Sequence, residues 1–273
     1  MENILSKIFK RNKNIIIGAI HLPPLLGYTK FPGFSVAIEN AIRDLRALEE
    51  GGAGGIIFEN NYDIPHKIFV DAPVVSAMTI IGEKLKKATA LPIGVSVLWN
   101  DYKAALSIAR TLNLQFIRIP VFVDKVKTDY GIIGGEPKKV IAFRKSIGAD
   151  SIALFTDIHV KHAEILSKHN IITSAKLAIK NKSDAVIVTG KWTGDAPDLK
   201  YMDVLRKEIA NFPILVGSGL DENNAEKLFQ FANGAIVSTS LKSGPKKSGE
   251  VNVKFYKARI DLKKVKNLMR RLQ

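Results

Sequence analysis

The stretch FTDIHVKH, Phe155 to His162, carries an aspartate, two histidines and a lysine within eight residues. Groups of these types can exchange protons with a substrate, ligate a metal, or close an ion pair at a strand end. Side chains two apart on a strand share a face, so Asp157 and His159 are expected to point together, along with Ala153 and Phe155. The preceding apolar run, FIRIPVFV from Phe116, carries Arg118. A buried guanidinium needs a carboxylate, and Asp157 is the nearest available. An Arg118–Asp157–His159 constellation follows, with a salt bridge tying neighbouring strands as the plainer alternative. His21 ends another run, NIIIGAIHL, where two following prolines lack N–H donors and stop the ladder, leaving the imidazole at a rim. The donors open to a divalent metal are Glu59, Asp157, His159 and His21, but no H-x-x-x-H or H-E-x-x-H spacing fixes a site. A metal is therefore admitted but not favoured, and the sequence names no cofactor.

Two further stretches, VGSGLDEN and GAIVSTSLKSG, have the composition of an anion cradle. Glycines let backbone N–H groups approach a phosphate, so Gly217, Ser218 and Gly219 suit one loop and Ser238, Thr239 and Ser240 a second, with Lys242 as counter-charge. A pair of ordinary turns is the competing reading. His66, His162 and His169 are assigned to loops or helices, with Lys161 and His162 opening a helix and able to reach the site.

What must position these groups is a series of eight apolar runs, beginning at Asn14, Gly54, Pro92, Phe116, Ser151, Asp184, Pro213 and Gly234. Continuous Ile/Val/Phe runs separated by longer amphipathic segments are the pattern of parallel strands buried on both faces and joined by crossover helices. Eight such units predict an α/β fold, a single (β/α)8 TIM barrel over residues 1–273. In such a barrel the chemistry sits where strands end. Here the ends read His21; Glu59, Asn60 and Asn61; Trp99 and Asn100; Arg118; Asp157 and His159; Thr189 to Lys191; Ser218 and Gly219; and Ser238 to Ser240. Core packing does not explain so many polar termini. Asn100 or Asp101 is expected to cap one helix and Asp221 another beginning near Glu222, while Gly51-Gly52 and Gly148 mark helix ends. The segment from Phe255 to Leu272 places Leu262, Val265, Leu268, Met269 and Leu272 on one helical stripe, which reads as the helix that closes the barrel.

Composition limits the function further. No cysteine is present, so thiolate chemistry and disulfides are excluded. No apolar run approaches the roughly 20 residues of a membrane span, and a soluble, cytoplasmic protein is expected. Of the formal +15 charge, +12 lies in Met1–Lys13, a basic lead-in, and Lys242–Gln273, a basic loop and closing helix. The body is nearly balanced, so no nucleic-acid groove is expected. SGPKKSGE, Ser243 to Glu250, reads as low-complexity linker.

Taken together, AIHLPPLLG, GGIIFEN, LWND, FIRIPVF followed by TDYGIIGG, DIHVKHAEIL, AVIVTGKWTGDAP, ILVGSGL and GAIVSTSLK resemble the BtpA/SgcQ family of predicted TIM-barrel proteins. The resemblance runs from about Ile16 to Lys242 and implies a ribulose-phosphate-binding-barrel-like fold. It also implies importance for His21, Glu59, Asn60, Arg118, Asp129, Asp157, His159, Lys161, His162 and the two Gly/Ser loops, and it marks Thr128 to Pro137 as a lid-like loop. Pro120, Tyr130 and Trp99 depart from the family pattern. The leading expectation is an enzyme, a lyase, isomerase or hydrolase, acting on a small phosphorylated metabolite such as a sugar phosphate or nucleoside derivative. Asp157 and His159 would be its acid–base pair, with Arg118, Glu59, His21 and Lys161 completing the catalytic set and Asn60 and Asp129 joining the binding loops. Lys161 or Lys191 would form a Schiff base only if desolvated. A non-catalytic membrane-biogenesis or photosystem-assembly-type factor, using the basic C-terminal helix, is the alternative. A homo-oligomer is expected only from the habits of barrels.

Overall fold

The computed structural model describes residues 3–245, 252 and 254–272. Each apolar run forms a strand: β1 (Ile15–His21), β2 (Gly55–Glu59), β3 (Ile93–Ser96), β4 (Phe116–Ile119), β7 (Ala153–Ile158), β9 (Ala185–Val188), β10 (Ile214–Val216) and β11 (Gly234–Val237). They pair in parallel in the order β1-β11-β10-β9-β7-β4-β3-β2 and close into a barrel. The crossovers carry α2 (Phe34–Glu50), α3 (Ala72–Ala88), α4 (Tyr102–Leu112), α5 (Pro137–Ser146), α6 (Ile171–Lys180), α7 (Leu199–Ile209) and the short α8 (Ala225–Leu228).

The two-residue period of the strands divides the apolar residues into two cores. Ile15, Ile17, Ala19, Ile57, Phe116, Ala153, Phe155, Ile187 and Leu215 fill the barrel interior, while Ile16, Ile56, Phe58, Ile117, Leu154, Val186 and Val216 pack outward under the helices. Phe116 and Phe155 stack at 4.6 Å between ring centroids. One step further along each strand, the inward series reaches His21, Glu59, Arg118 and Asp157. The same alternation that packs the core therefore carries the polar groups into the mouth.

Several elements differ from their sequence expectation. The basic lead-in contains α1 (Ile4–Phe9), capped by Asn3, whose Leu5 and Phe9 enter the inner core and close its N-terminal end. Thr128 to Pro137 is not an irregular loop: β5 (Lys125–Thr128) and β6 (Gly131–Gly134) form a hairpin, and β8 (Glu164–Ile165) adds to β5 to make a three-stranded sheet. Its apolar face, with Val126 and Ile133, packs on Trp99, Val121 and Val160. Lys161 and His162 do not open a helix, since they precede β8 and α6 begins only at Ile171. Asp221 accepts from the backbone of Asn223 and Asn224 in a turn, and α8 starts after Asn224. The C-terminal helix α9 is confined to Leu262–Arg270, with Asp261 as its cap and Val265 and Leu268 buried. Residues 246–250 of SGPKKSGE lie outside the described residues.

Candidate active site

Arg118 stands at the centre of the barrel mouth, 6% exposed. Its Nε and Nη2 donate to Asp157 Oδ1 and Oδ2 at 2.9 and 2.8 Å, a bidentate pair, and Nη1 donates to Glu59 Oε1 at 3.3 Å. Burial alone would penalise the guanidinium charge, but the carboxylates of Asp157 and Glu59 more than offset that penalty, so its pKa is raised. Both oxygens of Asp157 are thus occupied. The residue positions Arg118 and does not line the cavity.

Glu59 keeps Oε2 for the cavity. It accepts there from Asn61 Nδ2 at 3.4 Å and lies 3.9 Å from His21 Nε2. Burial, reinforced by the charges of Lys242, Lys161 and Arg118, pushes the pKa of His21 well below the ordinary imidazole range. The ring is neutral, so its contact with Glu59 is not an ion pair.

His159 does not join Asp157. β7 ends at Ile158, and His159 takes a left-handed φ of 51°, which breaks the alternation on which the shared face depended. Its Nε2 lies 3.1 Å from the His169 carbonyl oxygen, and its N–H donates to Asp124 at 3.4 Å. The residue delivered to the cavity is Lys161, two positions on. Its ammonium makes no hydrogen bond or ion pair among the described residues. Burial, then the charge of Arg118, lowers its pKa to about 8 against the opposing pull of Glu59 and Asp157.

The cavity above these groups opens to solvent at its mouth. Its far wall is built by the loops after β10 and β11. A side chain at Gly217 would press into Ile187 and Thr189, and one at Gly219, where φ is +72°, would overlap the backbone of Asp195 and Ala196. The serine hydroxyls divide in use. Ser218 Oγ accepts from Gly190 N–H and donates to the Asp195 carbonyl, both at 2.9 Å, and Ser240 Oγ donates to Leu220 at 2.8 Å. They tie loops together. Ser238 Oγ is buried without a partner among the described residues, and the N–H groups of Ser218, Gly219, Thr239 and Ser240 make no hydrogen bond to those residues. Lys242 is 1% exposed, with its Nζ 5.6 Å from the centre of the Tyr62 ring. Its Nζ has no hydrogen-bond partner among the described residues, and it does not line the cavity.

Two residues of the sequence-derived binding set stand aside. Asn60 clamps the neighbouring loop, accepting from Leu98 N–H at 2.7 Å and donating to Asp63 at 3.1 Å. Asp129 sits exposed at the tip of the β5–β6 hairpin, where its charge acts on His162. Conversely, the cavity includes His66, which no periodicity marked. It is 6% exposed, its Nδ1 has no partner among the described residues, and burial lowers its pKa to about 4. His162 also lines the wall, its Nε2 2.7 Å from Thr193 Oγ1, and burial lowers its pKa to about 4. Thr193 and Gly194 belong to AVIVTGKWTGDAP, whose turn composition was the available signal. Among the described residues no three carboxylate or imidazole groups converge as a metal site. Of the donors considered, Asp157 is taken by Arg118 and His159 is turned away.

The model of the BtpA family matches residues 12–273. The chain belongs to the BtpA family. It is 38% identical over 232 residues to the photosystem I biogenesis protein BtpA of Synechocystis, covering 84% of this chain and 80% of that protein. An uncharacterized protein of Pyrococcus furiosus is 36% identical over 92% of this chain and 95% of its own length. Among solved structures, the (S)-3-O-geranylgeranylglyceryl phosphate synthase of Thermoplasma acidophilum, in complex with sn-glycerol-1-phosphate, superposes with a TM-score of 0.60 at 14% identity, covering 99% of this chain and 98% of that one. The N-(5'-phosphoribosyl)anthranilate isomerase of Pyrococcus furiosus gives 0.56 at 14% identity, over 94% and 98% of the two chains. These likenesses show the fold, a closed parallel barrel shared by the BtpA family chain. No helix among the described residues is long and apolar enough to cross a membrane.

Proposed function

We propose that this protein is an enzyme acting on a small phosphorylated metabolite. The observation that carries the reading is the wall formed by the loops after β10 and β11, where the buried Ser238 hydroxyl has no partner among the described residues and the N–H groups of Ser218, Gly219, Thr239 and Ser240 make no hydrogen bond to them. A buried hydroxyl without a partner is rare and costly, and a phosphate supplies several acceptor oxygens at once for it and for the amides beside it. These are also the strands whose loops hold phosphate in many barrels, and two barrels of similar fold are described as acting on or binding phosphorylated compounds.

Holding the phosphate on that wall points the rest of the substrate at Lys161, Glu59 and His21. Binding energy from the phosphate then positions the reacting carbon. Glu59 Oε2 is the proton acceptor in reach, Arg118 stabilises developing negative charge, and neutral His21 can donate or accept one proton. Such a set serves isomerase, lyase or hydrolase chemistry. The reading carries with it a cytoplasmic setting and a small-molecule partner.

The test is a thermal-shift and calorimetric series with inorganic phosphate, glycerol phosphate and sugar phosphates. A ligand that binds only the native state raises Tm by mass action. Wild type is expected to respond to phosphate esters, and Ser238→Val and Gly219→Ala to lose that response while keeping the barrel's circular dichroism. Equal responses from wild type and both variants would remove the phosphate wall.

A further inference from the structure

We propose that Lys161 is a covalent catalyst, forming an imine with the carbonyl carbon of a phosphorylated ketone or aldehyde held in the cavity. The inference rests on the phosphate-binding reading above and narrows its substrate class.

A lysine that forms imines must meet three conditions: access to the ligand, freedom from a committed partner, and a substantial unprotonated fraction. Lys161 meets each. It lines the same cavity as the loops after β10 and β11. Glu59 and Asp157, the carboxylates nearby, are both engaged by Arg118, and Lys161 pairs with neither of them within 4.0 Å. Its surroundings are mixed in sign: Arg118 disfavours the ammonium, Glu59 and Asp157 favour it, and His21 and His162, both held neutral, add no positive charge. Burial decides the balance and brings the group down to about 8. Around pH 8 roughly half of it is a free amine, against under one per cent of an ordinary lysine. Lys242 is depressed to a similar value but is 1% exposed and does not line the cavity. It lacks access.

The step balances without any additional reactant. The neutral Nζ donates its lone pair to the carbonyl carbon, the C=O π electrons move to oxygen, and a proton passes from nitrogen to that oxygen to give a carbinolamine. Protonation of the hydroxyl, through Glu59 or water, lets it leave as water while nitrogen forms C=N. Overall, ammonium and carbonyl become a protonated imine and one water. The iminium then draws electrons from an adjacent C–H or C–C bond, with Glu59 accepting the proton released, and hydrolysis by the same water in reverse frees the product.

The experiment uses full-length protein with dihydroxyacetone phosphate or ribulose 5-phosphate, reduced with sodium borohydride and read by intact mass and peptide mapping, with thermal shift run in parallel. The expected result is a single reduced adduct located at Lys161, suppressed by inorganic phosphate and absent from Lys161→Arg, which keeps its charge and its phosphate-induced shift. A shift with the phosphorylated ketone and no adduct at Lys161 overturns the imine and leaves the phosphate reading in place. An adduct retained in Lys161→Arg, or spread over surface lysines, also overturns it. No shift with any phosphate ester overturns the phosphate reading, and the imine with it.

Discussion

At the scale of single residues, the mouth separates groups that hold the site from groups free to react. Asp157 was read from the sequence as half of an acid–base pair, but both its oxygens serve Arg118. Removing one member of a buried pair strands the other, so Asp157→Asn should cost about 3 kcal/mol or more in urea denaturation. A cost within about 0.5 kcal/mol, the range of ordinary surface substitutions, would show that Arg118 finds full compensation elsewhere. His66 makes a prediction with a sign. Its folded pKa of about 4 lies below the ordinary 6.5, so between those values the unfolded chain binds the extra proton. Its contribution is complete above about pH 6.5 and is lost as pH falls toward 4. Asp63, raised by burial to about 6, acts in the opposite sense, so the comparison must be with a variant. Stability of wild type relative to His66→Gln should decline on acidification through that window, by roughly 3 kcal/mol at its end. A pH-independent difference would mean the imidazole protonates freely when folded.

At the scale of elements, the strands and most helix ends were legible because their signals are local. Asp101 caps α4, accepting from Ala104 N–H at 2.9 Å, while its second oxygen accepts from Val70 N–H at 2.9 Å. Asn100, the other cap considered, instead bridges both backbone groups of Val121. Two orphan donors depend on Asp101, so Asp101→Ala should lower stability by about 2 kcal/mol, the upper end for a cap. A change in Tm no larger than that of an exposed helix substitution would put the capping elsewhere. The hairpin of β5 and β6 was not legible. Its strands are four residues each, too short for a clear period, and the third strand of its sheet, β8, comes from after β7 and pairs only with β5. The turn of His159 was hidden for a similar reason. Period-two reasoning holds only while the strand lasts, and β7 stops one residue too soon.

At the scale of the whole molecule, the basic ends prove to be structural as well as charged. α1 seals the barrel with Leu5 and Phe9, and α9 commits its apolar stripe to the barrel, Val265 lying where any side chain at Gly51 would collide. Arg259 anchors the approach to α9 by donating to Asp44 at 2.9 Å. What α9 leaves outward is a basic face without a free apolar one, and membrane insertion needs both. Serine at Lys263, Lys266, Arg270 and Arg271 should therefore leave phosphate-ester binding unchanged. Sedimentation with anionic vesicles should be weak and vanish in moderate salt. Tight, salt-resistant association would favour an assembly role of the kind named for the Synechocystis relative.

The sequence by itself determined the parallel α/β architecture, because eight continuously apolar runs suit strands buried on both faces, and their number and regular spacing pointed to a closed barrel. It also determined that ionisable side chains gather at their C-terminal ends, since His21, Glu59, Arg118 and Asp157 follow the inward period of their own strands. The tertiary structure decided how those groups divide their work. Which carboxylate is taken by Arg118, which serine hydroxyl is spent on a neighbouring loop, and whether Lys161 is desolvated all depend on distances between segments far apart in the chain. Burial and pairing, rather than residue type, set the reactivity of an ionisable group. Those belong to the assembled mouth and to no single stretch of sequence.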